Sequence, residues 1–105
     1  MIDVLGTNDV ISFDGRALEV FELIEGRSRQ RHHVSRVADL RLEPYDAQSL
    51  VIRCWLRDLH GQPLGLPNVW QVPAASRPSA EQLVALVREA ATRYAGWWGT
   101  PPPGR

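Results

Sequence analysis

If this chain carries chemistry, it resides in a short basic run, a tryptophan set between arginines, three histidines and one cysteine. The densest charge is Arg27, Arg29, Arg31, His32, His33 and Arg36, separated only by uncharged residues. Guanidinium groups at that density could converge on a phosphate, a phospholipid headgroup or an acidic protein face, each offering a planar fork of donors. The plainer reading is a solvated loop between two strands, its charge offset by Glu19, Glu22 and Glu25, and it is favoured. Nucleic acid is not expected as a partner. Twelve cations balance twelve acids over the chain, and no aromatic side chain interleaves the arginines.

A second candidate is Arg53, Trp55 and Arg57, which strand alternation places on one face. An aromatic flanked by arginines is the composition found at protein interfaces, and here that reading is even with Trp55 packing under a loop. His32, His33 and His60 could supply metal ligands. Adjacent strand residues point to opposite faces, however, and no carboxylate or cysteine stands beside them at a ligand spacing, so no metal is expected. Cys54 could be a nucleophile, yet it falls between Ile52 and Leu56 on an inward face, where a thiol is an inert filler. None of Ser12, Ser28, Ser35, Ser49, Ser76 and Ser79 sits in a nucleophile elbow. No enzyme and no cofactor are expected; a small hydrolase or metal-dependent enzyme built on the histidines is the weakest alternative.

The elements that would position these residues follow from periodicity. Val10 to Phe13 reads as a strand ending at Asp14-Gly15, a hairpin dipeptide. Ala17 to Ile24 has apolar residues at helical spacing, but glycines at 15 and 26 leave it too short for a helix. It is read as a strand with a bulge near Val20-Phe21 that keeps its apolar residues inward. Val34 to Glu43 alternates except at Arg36, suggesting two short strands around a bend. Ser49 to Arg57 alternates cleanly, and Val69 to Val72 is a last strand after a loop rich in Gly and Pro.

The C-terminal quarter carries the strongest signal. Leu83, Val84, Leu86, Val87, Ala90, Ala91, Tyr94, Trp97 and Trp98 fall within one arc of roughly 160° at helical period. Ser79 and Gln82 have capping-box spacing, so the helix is expected from Ala80 to Trp98, ended by Gly99. An apolar face that wide needs a sheet to cover it.

These elements predict an α+β, mostly β domain. Its expected architecture is an antiparallel bent sheet or partly closed barrel of about six to seven strands, capped by one C-terminal helix. Residues 1–98 form the single domain and 99–105 a frayed proline-rich tail. No run approaches a membrane span and no signal peptide is evident, so a soluble cytoplasmic protein is expected. All twelve cations are arginine, as GC-rich codon usage produces, which points to a bacterial source.

The segment Ile11-Ser12-Phe13-Asp14-Gly15-Arg16, the run His33 to Leu40 leading into the next strand, and the terminal helix Ala80 to Tyr94 resemble the bacterial pleckstrin-homology-like domains. The similarity spans roughly residues 9 to 95. It implies a bent barrel that binds proteins or peptides or, in some eukaryotic members, phosphoinositides. Lipid-binding members carry a basic loop between their first two strands; here that loop is Asp14-Gly15-Arg16, with one cation, which disfavours a membrane surface. The expected function is therefore a non-catalytic module that binds a protein or peptide, or a second copy of itself, through a strand edge or the Trp55 face. The alternative is an anion-binding domain using Arg27, Arg29, Arg31, His33 and Arg36.

Overall fold

Two-residue alternation over the first three quarters and helical spacing over the last build two antiparallel sheets and one helix. The computed structural model describes residues 1–94. Its strands are β1 (Ile2–Leu5), β2 (Asp9–Phe13), β3 (Ala17–Glu22), β4 (Ser28–His33), β5 (Val37–Pro44), β6 (Ser49–Leu56) and β7 (Asn68–Pro73), followed by α1 (Arg77–Arg93). β1 to β4 form a four-stranded sheet and β5 to β7 a three-stranded one, each in sequence order. The α+β, mostly β class with a single C-terminal helix is what the chain adopts. The sheets do not close into a barrel. They meet where Thr7 N–H, between β1 and β2, donates to the Gln71 carbonyl of β7 at 2.9 Å.

Each sheet turns its apolar residues toward α1. Val4, Ile11, Leu18 and Val20 come from the first sheet and Leu40, Ile52, Cys54, Trp70 and Val72 from the second. Ala80, Leu83, Val84, Val87 and Ala90 complete one continuous core from the helix. Leu83 and Val87 are fully buried while Leu86, expected on the same face, is 39% exposed. The sheets cover a narrower stripe than the apolar arc of the sequence.

Local structure departs from expectation where no apolar pattern announces it. β1 had no predicted counterpart, and Ser28–His33, read as a loop, is the edge strand β4. Its burial alternates only between exposed and half-buried, so it borrows its conformation from pairing with β3. The break at Arg36 is a 3-10 turn over Val34–Arg36, after which β5 runs to Pro44 with a register shift at Ala38. Ala17–Glu22 is a strand, with a register shift at Val20/Phe21. The extra residue is Arg29 of β4, because Val20 faces Gln30 and Phe21 faces Ser28. Phe21 accordingly pairs with Val10 and stays half-buried outside the core.

The helix starts at Arg77, three residues before Ala80. A 3-10 turn at Ala74–Ser76 leads Arg77 directly into helical dihedrals. Pro78 then occupies the first turn, where its missing N–H is no loss. Ser79 is inside the helix and caps nothing; its hydroxyl donates to the Ser76 carbonyl at 3.0 Å. Trp97, Trp98, Gly99 and the 99–105 tail lie outside the described residues. No helix among the described residues is long and apolar enough to cross a membrane.

Candidate functional site

Of the arginines in the basic run, Arg29 and Arg31 lie on β4, Arg27 just before it and Arg36 in the 3-10 turn that follows, and they are engaged one by one. Arg27 pairs with Glu25 at 2.6 Å, Arg29 with Asp9 at 3.0 Å, and Arg31 with Glu19 at 2.7 Å. Arg36 donates to the Arg57 carbonyl at 3.0 Å. β2, β3 and the β3–β4 turn thus each set a carboxylate against one of these cations, and the arginines do not gather around one cavity. His33 Nδ1 accepts from Ser35 N–H at 3.1 Å, and its ring meets Tyr94 edge-on at 5.2 Å. His32 contacts the Gln30 side chain at 3.0 Å. Burial, reinforced by the Arg36 charge, lowers its pKa below the usual imidazole range. His60 sits apart on an exposed turn, its own N–H donating to Asp58. Among the described residues no three His, Cys, Asp or Glu side chains are grouped to hold a metal.

The outer face of the second sheet holds Trp55 and Arg53 together, as alternation predicts. Both are half-buried. The Arg41 guanidinium lies 5.2 Å from the Trp55 ring centroid and is anchored by Asp39 at 2.7 Å. Arg53 pairs with Glu43 at 2.6 Å. Cross-strand register explains the set, since Asp39 faces Trp55 and Arg41 faces Arg53. Arg57 leaves this face: one of its nitrogens donates to the Gly61 carbonyl at 2.9 Å, and its Nε is buried without a partner.

Cys54 is fully buried in the core. Burial, with a smaller contribution from the Asp39 carboxylate, pushes its thiol from 9.0 up to about 12. A neutral thiol is neither a nucleophile nor a metal ligand. Thiol reagents at pH 8 are expected to label Cys54 only after unfolding; full labelling of the native protein within minutes would contradict this burial. The raised pKa also sets a pH dependence. The unfolded chain releases this proton before the folded one, so the contribution is intact below pH 9.0 and lost as pH climbs toward 12. The slope is about 1.4 kcal/mol per pH unit. Denaturant titrations of the native sequence and Cys54→Ala between pH 8 and 10.5 measure it.

Sequence reasoning missed the cleft between β5 and α1. β5 pairs only with β6, leaving its other edge free. Along that edge Ala38, Leu40 and Leu42 face helix residues Ala91 and Thr92 at one end and Val84 and Ala85 at the other. The two chambers, about 200 and 330 Å³, are separate and share Arg88 in their lining; together they mark the β5–α1 groove. Arg57 lines the first chamber beside Arg88. Leu40 N–H donates to the carboxylate of its neighbour Asp39 at 2.8 Å, which marks the side of β5 not used by β6. Ladder alternation puts Leu42 N–H on that same side. Pro44 has no N–H to offer. The edge is thus part-capped and part-open, as edges protected from indiscriminate pairing are. The pattern of β5 alone could not disclose it, since only the packed helix makes the second wall.

Compared with known proteins, the chain matches no family model, and no curated protein matches it significantly.

Proposed function

We propose that this domain is a non-catalytic, pleckstrin-homology-like binding module that takes an extended segment of a protein partner along the free edge of β5, against α1. The reading rests on the groove in which an unpaired strand edge and a helix wall run side by side over Ala38–Leu42. Main-chain bonds to the edge give affinity, and the helix side chains select what fits. A bound strand would take Leu42 N–H and compete with Asp39 for Leu40 N–H. The four-plus-three arrangement of strands with a terminal helix supports the likeness to pleckstrin-homology-like domains. The pairing of Arg27, Arg29 and Arg31 with carboxylates makes an anion site on β4 the poorer reading. In the same proposal the module is bacterial and works in the cytoplasm, where its single buried thiol is kept reduced.

Panning the folded domain against a random peptide library tests this. Ala85 is exposed and lines the groove, so Ala85→Trp fills it without touching the core. Enriched peptides are expected to lose at least about tenfold in affinity for Ala85→Trp, a change of about 1.4 kcal/mol. They are also expected to shift the amide signals of Leu40, Leu42 and Arg88. Peptides that bind Ala85→Trp as well as the native sequence, or a library that yields none, would overturn the proposal.

A further inference from the structure

The outer face of the first sheet carries a second groove, on the opposite side of that sheet from the core. Register fixes its floor. Leu5, Val10 and Phe21 lie abreast across β1, β2 and β3, and two residues along the strands Asp3, Ser12 and Glu19 form the next row. The groove encloses about 380 Å³, with the β3–β4 hairpin as one wall. Part of it is apolar: Val10 and Phe21 are half-buried and Leu23 is 43% exposed in its lining, and Leu5, 55% exposed, continues the Val10–Phe21 row. A contiguous patch of this kind marks a contact surface more often than bare exposure.

Charge identifies what would cover it. Four carboxylates line the groove and no arginine or histidine does. Glu19 and Glu22 are matched by Arg31 and Arg29 of β4. Asp3 and Asp14 form no ion pair among the described residues, although the Arg31 charge still acts on Asp14. Asp3 accepts only the Ser12 hydroxyl, at 2.6 Å, and Asp14 accepts the N–H groups of Arg16 and Ala17, each at 2.8 Å. Two exposed carboxylates outside any ion pair, beside an apolar floor, complement an apolar group joined to a cation.

We infer that this groove docks an extended segment of a partner protein bearing an apolar residue and, two positions on, an arginine or lysine. The spacing comes from the sheet. Same-face residues on a strand are about 7 Å apart, the distance from the Leu5–Val10–Phe21 row to the Asp3–Ser12–Glu19 row and again from Ser12 toward Asp14. A bound segment running along β2 would set its apolar side chain on Val10 and Phe21 and its cations against Asp3 and Asp14. This surface is independent of the β5–α1 groove and shares no lining residue with it.

Fluorescence anisotropy with a labelled peptide of repeating Leu-Ser-Arg-Ser-Arg-Ser, against the same peptide with Glu for Arg, tests the inference. The Arg peptide is expected to bind at 150 mM salt and the Glu peptide at least about tenfold more weakly. The double variant Asp3→Asn, Asp14→Asn keeps both side chains' shape and is expected to abolish most of that preference; Ala85→Trp is expected to leave it intact. Amide shifts in the native protein should centre on Val10, Ser12 and Phe21, which checks the site without any variant. Equal binding of the two peptides, retention of the preference in the Asn double variant, or shifts centred on Leu40 and Leu42 would overturn it.

Discussion

Leu83→Ala is expected to lower the unfolding free energy by about 2–5 kcal/mol, enough to leave a domain of this size barely folded. Leu83 has no solvent exposure and sits mid-helix in the core shared with both sheets. Its removal subtracts the transfer free energy of three carbons and leaves a void, because strands on both sides are held by their own ladders and cannot collapse into it. α1 touches β1, β2, β5 and β7, so the loss weakens both sheets' attachment at once. The neighbour Leu86, 39% exposed, is the internal control. Leu86→Ala should cost about 1 kcal/mol or less by the smaller area it removes from water. Urea titrations of the two variants measure the difference. Equal effects would mean that the helix docks in another rotation.

Gly6→Ala is expected to destabilise by about 1–3 kcal/mol although it adds a single methyl group. Gly6 follows β1 at the junction of the two sheets, where its N–H donates to the Asp9 carbonyl at 2.7 Å. A Cβ there would stand 2.8 Å from the Asp9 carbonyl oxygen and 3.0 Å from that of Gln71. Both obstacles are backbone, so no rotamer change relieves the clash. Either the β1–β2 turn opens or β7 moves away, and the Thr7–Gln71 bond joining the sheets goes with it. Gly15 makes the contrasting case. Nothing lies within 4 Å of a Cβ there, and only its φ of +99° resists substitution. Thermal melts of Gly6→Ala should show the loss, and hydrogen exchange should place the weakened protection at Thr7. An unchanged melting temperature would show that the junction is slack.

Much of the architecture is legible from residue types alone. Asp14-Gly15 announces the β2–β3 hairpin, and the Asp14 carboxylate does bind the turn amides at 2.8 Å. Clean alternation at Ser49 to Leu56 gives β6 with Ile52 and Cys54 inward. β4 was not legible because an edge strand with polar residues on both faces has no apolar period, and its conformation comes from the strand it pairs with. The start of α1 was misplaced because Ser79 has the right spacing for a cap while the turn at Ala74–Ser76 had already begun the helix.

The candidate sites were legible only as composition. A sequence can state that Arg29 and Arg31 are charged; it cannot state that Asp9 and Glu19 will stand 3.0 and 2.7 Å away, since those acids are 20 and 12 residues distant in the chain. The same holds for the β5–α1 groove, whose walls are separated by more than thirty residues of chain, and for the unmatched Asp3 and Asp14. Residue order by itself determined which stretches could be strand or helix and which faces had to be dry, because backbone preference and hydrophobic period act over a few neighbours. Only the tertiary structure decided which charges are neutralised and which edges and grooves stay open, because register and helix docking bring together groups that local sequence keeps apart.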